Sequence, residues 1–282
     1  MKYLVTGATG AVGSLVVERL LARGERPRVF VRSAEKARSL FGDQVDVATG
    51  DLADGASLAA ALRGIDRAFL VNSGPDLAAR DGMAAQAART AGLGHLVKLS
   101  TMDVEQGVGT GPRHARGEAA IRAHGVGFTF VRPSGFMVNA LAWAPAIQAG
   151  GVVLGATGTG KIAFIHAHDI ADVATAALTS TRYDGESLAI SGPEALCYGE
   201  MVAKIGAAIG RSLAFESISE EEERRRWQSW GESEESIDYH MSIFGAIRDG
   251  SLACVTDTVE RVTGRPARTF DQWARENATA FH

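Results

Sequence analysis

The sequence is short of the residues that several kinds of function require. Its two cysteines, Cys197 and Cys254, form no CxxC pair and no framework. That excludes a disulfide scaffold or a thiolate metal site, and a reduced setting with two buried thiols is the simpler reading. Neither sign of charge dominates: 29 Lys and Arg against 33 Asp and Glu leave a net charge of -4, with a pI near 6.0. That balance gives no electrostatic reason to expect a nucleic-acid or anionic-membrane partner. No apolar run is long enough to span a bilayer, and a strand beginning at residue 2 leaves no room for a signal peptide. A soluble, cytoplasmic protein is expected. Long-period repeats and low-complexity linkers are also missing.

What is present is material for a large core, since 46% of the 282 residues are hydrophobic. The rest is organised around one stretch. Tyr3-Leu4-Val5-Thr6 reads as a buried strand, and Val12, Leu15, Val16 and Leu20 recur at helical spacing. Between them lies Gly7-Ala8-Thr9-Gly10-Ala11-Val12-Gly13. Glycine suits such a turn because the chain bends sharply, the backbone must approach a pyrophosphate, and the helix must lie close on its strand. The free N–H groups of the helix then face the anion, with Gly7, Thr9, Gly10, Ala11, Val12 and Gly13 around it. Further strand-like runs, Arg28–Val31, Val45–Ala48, Arg67–Val71, His95–Leu99 and Gly127–Val131, alternate with helical stretches near 34–41, 55–63, 76–91 and 113–124. The alternation predicts an α/β fold with a doubly wound parallel sheet, and places any ligand at the strand ends. A nucleotide-binding domain over 1–150 and a smaller substrate lobe over 151–282 are expected, with the chain crossing back into the sheet near 187–191.

The strand ends carry the candidate site. After the second strand stands Arg32, with Lys36 one helical turn on. A ribose 2'-hydroxyl is usually held by an acid there, whereas a 2'-phosphate calls for cations, so NADP is expected rather than NAD. Asp51 and Leu52, after the third strand, are placed to meet adenine; a turn or cap is the plainer role for Asp51. Asn72 follows the fourth strand and Ser100-Thr101 the fifth, where they would line the cofactor crevice. Pro133 stops the sixth strand, and Phe136 and Met137 could wall the nicotinamide and substrate pocket. Trp143, Trp227, Trp230, Met241 and Phe244 would favour a flat, apolar small-molecule substrate, or else form plain core.

Three other stretches have local explanations. Gly155-Ala-Thr-Gly-Thr-Gly160-Lys161 matches a phosphate-binding loop until Ile162, where a hydroxyl should stand, and it reads as a hairpin turn before strand-like Ala163-Phe164-Ile165. His166-x-His168-Asp169 lacks a further ligand cluster, so no metal is expected, and Asp169 fits a helix start. Ser219 with Glu222 forms a capping box, followed by (i, i+4) pairs Glu220-Arg224, Glu221-Arg225 and Glu222-Arg226 on a solvated helix.

Taken jointly, Gly7-xx-Gly10-xx-Gly13, Val31-Arg32-Ser33 with Lys36, Gly50-Asp51-Leu52, Val97-Lys98-Leu99-Ser100, His114-xxx-Glu118 and Val131-Arg132-Pro133-Ser134-Gly135-Phe136-Met137-x-Asn139 resemble the NmrA-like branch of the atypical short-chain dehydrogenase/reductases. Asp169-Ile170-Ala171, Ser191-Gly192-Pro193-Glu194 and Thr269-Phe270-Asp271-Gln272-Trp273 extend the resemblance over nearly the whole chain. It implies an NADPH-binding Rossmann domain with a C-terminal substrate lobe. The branch includes quinone, dye and ketone reductases, and proteins that bind the dinucleotide only to sense it. Typical short-chain dehydrogenases use a tyrosine with lysine four residues on; none of the four tyrosines here has one. His114 and Glu118 stand in that segment instead. A histidine near its ordinary pKa could donate the proton, with Ser100 or Thr101 bonding the developing oxyanion. The expectation is an NADPH-dependent reductase of a carbonyl or quinone-like, aromatic substrate, a ketoreductase or quinone reductase. A non-catalytic redox sensor is the competing reading.

Overall fold

The runs Tyr3–Thr6, Arg67–Leu70 and His95–Leu99 are buried end to end, as central parallel strands covered on both faces must be. The computed structural model describes residues 1–282. Its strands are β1 (Tyr3–Thr6), β2 (Arg28–Val31), β3 (Asp46–Thr49), β4 (Arg67–Leu70), β5 (His95–Leu99), β6 (Gly127–Pro133), β7 (Val153–Gly155), β8 (Ser187–Ile190) and β9 (Phe215–Ser217). The helices between them are α1 (Gly13–Ala22), α2 (Ala34–Phe41), α3 (Gly55–Leu62), α4 (Leu77–Ala91), α5 (Asp103–Gln106), α6 (Gly111–Ala123), α7 (Ala144–Gln148) and α8 (Ala167–Thr179). Then come α9 (Tyr198–Ile209), α10 (Glu220–Ser229), α11 (Glu234–Arg248), α12 (Thr258–Thr263) and α13 (Phe270–Glu276).

The chain divides into two units, the first of residues 1–101, 112–133 and 167–189, the second of 102–111, 134–166 and 190–282. The expected boundary at 150 is therefore replaced by an interleaved division. The first unit is built on a seven-stranded sheet in the order β3-β2-β1-β4-β5-β6-β8. β1 runs parallel to β2 and β4, and β4, β5 and β6 run parallel in turn. Strand order reverses between β1 and β4, so the crevice at their carboxyl ends is the topological switch point. Because side chains alternate, Leu4, Phe30, Leu70, Leu96 and Phe130 share one face and pack on Leu58 and Leu62 of α3, Ala84 and Ala88 of α4 and Ile121 of α6. Val5, Val29, Phe69 and Val97 face the other way, and α1 and α8 pack together, joined by Arg19 and Asp172 at 2.6 Å.

The second unit packs Met137, Ile147, Tyr198, Met201, Ile205, Phe244, Ile247, Phe270, Trp273 and Phe281 into one core beside the parallel pair β7 and β9. Capping boxes start α9, α10 and α13 at Cys197, Ser219 and Thr269. Cys197 is half-buried, with its sulfur capping α9, and Cys254 is exposed, so neither is a buried thiol. Gly160 N–H bonds Thr157 C=O at 3.1 Å, but β7 pairs in parallel with β9, so this turn closes no hairpin. Ala163-Phe164-Ile165 makes no strand, only a single bridge from Ile165 to Phe136. On α10, Arg226 pairs with Glu223 at 2.5 Å rather than with Glu222, whose carboxylate accepts from Ser219. Glu223 is buried, which gives that helix an inner face its charge pattern hid. No helix is long and apolar enough to cross a membrane.

Candidate cofactor and active site

The glycine turn leaves β1 and enters α1 with backbone closed tightly on backbone. Gly7 has φ +60°, and its C=O accepts from Gly10 N–H at 2.9 Å. A Cβ on Gly13 would lie 2.2 Å from the Gly7 oxygen, and one on Gly7 would lie 2.9 Å from Val71 Cβ at the end of β4. Val71 N–H in turn donates to Thr6 Oγ1 at 2.8 Å, fixing the two edges of the switch point together. No side chain caps α1, and its first turn carries no acid. Ser14 N–H is taken by Gly10 C=O at 3.0 Å, and the uncapped turn before it fits a dinucleotide pyrophosphate. Gly10 and Ala11 are exposed, Thr9 is half-buried, and Val12 and Gly13 are buried as packing.

Arg32 and Lys36 are both exposed, beyond β2 and on the first turn of α2, and neither side chain meets an acid. Ser33 caps α2 through Lys36 N–H at 3.3 Å. Asp51 Oδ1 accepts from Ala53 N–H at 2.8 Å, so half of its carboxylate serves the turn. Leu52 is half-buried beside the core of this face. Asn72 is buried: its amide donates to Leu77 C=O at 3.1 Å and to Asp81 Oδ1 at 3.3 Å, so its side chain serves the loop before α4. These residues directly follow β1 to β4, which brings them to one carboxyl edge of the sheet.

The ends of β5 and β6 carry a buried polar cluster. Ser100 Oγ donates to Glu118 Oε1 at 2.6 Å, and Arg132 clasps the same carboxylate at 2.9 and 2.6 Å. Ser100 is thereby committed to Glu118. Lys98 and Asp81, both fully buried, pair at 2.7 Å. Burial holds the Lys98 ammonium below its ordinary range, against the opposing pull of the Asp81 and Glu118 carboxylates. Glu118→Ala is expected to cost about 3 kcal/mol, because it removes a buried carboxylate that accepts from both Ser100 and Arg132. A change in Tm corresponding to less than 1 kcal/mol would show the pair to be idle.

His114, on α6, is 8% exposed, and its buried Nδ1 has no hydrogen-bond partner. Burial first, then the Lys98 charge, pull its pKa down to about 3. The expected histidine near its ordinary pKa is corrected: the ring is neutral at physiological pH. His95 is likewise held down to about 4, by burial and by Arg67. Both rings take protons in the unfolded chain below pH 6.5 and not in the folded one, so stability falls as pH drops from about 6.5. Each ring should account for about 2 kcal/mol between pH 7 and pH 5. In His114→Leu that decline should be smaller by about 2 kcal/mol, by chemical denaturation at both pH values, while His95 and His240, the latter also held down by burial, keep their own shares; an unchanged slope would contradict the assignment.

The remaining expected residues fall differently. β6 ends at Pro133, as expected, running two residues past Val131. Met137 is 1% exposed inside the second unit's core and is no pocket wall. Phe136 is half-buried, and Trp143 packs edge-on against Tyr198 with centroids 4.9 Å apart. Phe244 and Met241 are core, whereas Trp230 is 62% exposed beneath Arg226. His166 meets Glu276 at 3.0 Å and His168 meets Arg19 at 2.9 Å, so the two histidines serve separate contacts. Asp169 lies buried in the first turn of α8. Asp81, Lys98 and Arg132, far apart in the chain, are joined into a cluster only by the fold. Their visible signal is a lone lysine amid Leu96-Val97-Lys98-Leu99 and a lone acid on the inner face of an alanine-rich helix.

A family model described as NAD(P)H-binding matches residues 7–181. The chain belongs to this NAD(P)H-binding family. Within it, the chain stands in the NmrA-like group of atypical short-chain dehydrogenase/reductases. It is 41% identical to the (4-alkanoyl-5-oxo-2,5-dihydrofuran-3-yl)methyl phosphate reductase of Streptomyces griseus, covering 99% of this chain and 98% of that one. It is 37% identical to the NAD(P)H azoreductase of Xenophilus azovorans, with the same coverage of both chains. Among solved structures, an NADPH-dependent quinone oxidoreductase from Escherichia coli in complex with NADPH superposes with a TM-score of 0.90 at 25% identity, over 97% of this chain and 99% of that one.

Proposed function

We propose that the protein is an NADPH-dependent reductase that passes a hydride to a conjugated small molecule, quinone-like or aromatic. The observation that carries this reading is the glycine cradle, closed on backbone and opening an uncapped helix, in a chain collinear with two named reductases. NADPH supplies the hydride. Gly7, Thr9 and Gly10 hold the pyrophosphate, with Gly13 letting α1 close on the turn, Arg32 and Lys36 hold the 2'-phosphate, and Asp51 with Leu52 the adenine. Thr101, at the end of β5, and Pro133, at the end of β6, border the nicotinamide.

Proton supply sets the substrate class. Tyr3 and Tyr198 are buried with pKa values raised, Tyr198 by burial and by Glu223, and no tyrosine has lysine four residues on. His114 is neutral, so no strong acid stands ready. A substrate whose hydride adduct is already a stabilised anion needs none. Quinones, azo compounds and 5-oxo-2,5-dihydrofurans are all conjugated in this way, whereas an isolated ketone yields a strongly basic alkoxide. Thr101 is assigned to hydrogen-bond the developing oxyanion.

NADPH oxidation measured against quinones, azo dyes, enones and unconjugated ketones tests the reading. Turnover is expected with the first three and not with the last. Its kcat/KM should show no inflection near pH 6.5 between pH 5 and 8. Tight dinucleotide binding with no turnover on any acceptor would instead indicate a sensor.

A further inference from the structure

Buried ion pairs add little net stability, because desolvating two charges costs about as much as their attraction returns. The Lys98–Asp81 pair, with both side chains fully buried, therefore needs another reason to be there. Its connections supply one. Lys98 stands near the end of β5, and its ammonium meets Asp81 Oδ2 at 2.7 Å on α4. Asp81 Oδ1 accepts from the Asn72 amide at 3.3 Å, the same amide donates to Leu77 C=O at 3.1 Å, and Asn72 Oδ1 accepts from Ser73 N–H at 3.0 Å. The pair thus fastens both ends of the segment 72–77. That segment continues from Val71, the residue against which Gly7 is packed at the switch point. α6 is shaped around the carboxylate as well: a Cβ on Gly117 would lie 2.1 Å from Asp81 Oδ2.

We propose that Asp81, held by Lys98 and seated over Gly117, is a positioning residue that fixes the loop 72–77 as one wall of the dinucleotide site and so sets cofactor affinity. The proposal rests on the cofactor reading above. Asp81 touches neither ribose nor phosphate in this scheme; it acts through Asn72, so its loss weakens NADPH and NADH alike.

Three variants test it, with amide exchange of the cofactor-free protein and calorimetric titration as readouts. Asp81→Asn keeps the shape and removes the charge. Gly117→Ala displaces the carboxylate from the neighbouring helix. Asp81→Leu with Lys98→Met replaces the pair by apolar groups of matching shape, which preserves folding stability. All three should speed exchange at Ser73 and raise the NADPH Kd about tenfold, with the NADPH-to-NADH preference unchanged. The double variant should do so while its Tm stays within a few degrees of the parent. Wild-type affinity in the double variant, or unchanged exchange at Ser73, overturns the proposal. If the parent protein binds no dinucleotide, the cofactor reading fails instead, and the exchange data still decide whether the pair holds the loop.

Discussion

Arg32→Asp is expected to weaken NADPH binding about a hundredfold while leaving NADH binding within about threefold, because a charge-assisted contact to phosphate is worth about 1.5–3 kcal/mol and the new carboxylate repels the same group. The effect should be this selective because Arg32 serves nothing else in the fold. It is exposed and meets no acid, so removing it leaves no partner behind. Lys36, on the first turn of α2, adds a second positive charge whose loss should matter less, since an ammonium meets phosphate as a point charge rather than a planar fork. Calorimetric titration of the variant with both dinucleotides gives the ratio. Equal losses for both would remove the 2'-phosphate assignment and leave the pyrophosphate cradle untouched.

Gly13→Val is expected to abolish binding of both dinucleotides. Its Cβ would fall 2.2 Å from the Gly7 oxygen and 2.6 Å from the Gly7 carbonyl carbon, both backbone atoms, so no side chain can move aside. The turn must open, and α1 must lift from β1. Steric displacement of a packed helix costs about 1–3 kcal/mol of stability, and the pyrophosphate loses the N–H groups that face it. Gly55→Ala is the matched control: that glycine opens α3 with nothing within 4 Å of an added Cβ, so stability should hold or rise. Calorimetry at a temperature where the variant remains folded separates lost affinity from lost structure. Binding within tenfold of the parent would show that the turn has more room than its geometry implies.

How much could be read from the sequence follows from how far apart the deciding residues lie. The first unit was legible because its signals are local. Glycine at 7, 10 and 13 answers to a turn a few residues long, and each strand announces itself by its own apolar run. Arg32 could be placed by register from that turn. The division into units was not legible, because residues 102–111 join the second unit through contacts such as Gly109 N–H to Ser242 Oγ at 3.0 Å, far along the chain. The same distance hid the buried charges. Lys98 and Asp81 look anomalous singly, and only the packing of α4 on β5 and α6 shows that they answer one another. The spacing marks His114 as unusual but not its protonation, since a pKa depends on burial and on a neighbouring lysine that spacing does not reveal. Met137 misled for the opposite reason. An apolar residue after a glycine suits a pocket wall and a core position equally well, and tertiary packing chose the core.

The central claim is that the first unit is a dinucleotide site with cations placed for a 2'-phosphate. Titration of the purified, wild-type chain with NADPH and with NADH tests it most directly. One equivalent of NADPH should bind, at least tenfold more tightly than NADH, with the preference shrinking as salt screens Arg32 and Lys36. Equal affinity for the two dinucleotides, or no heat with either, would contradict the account.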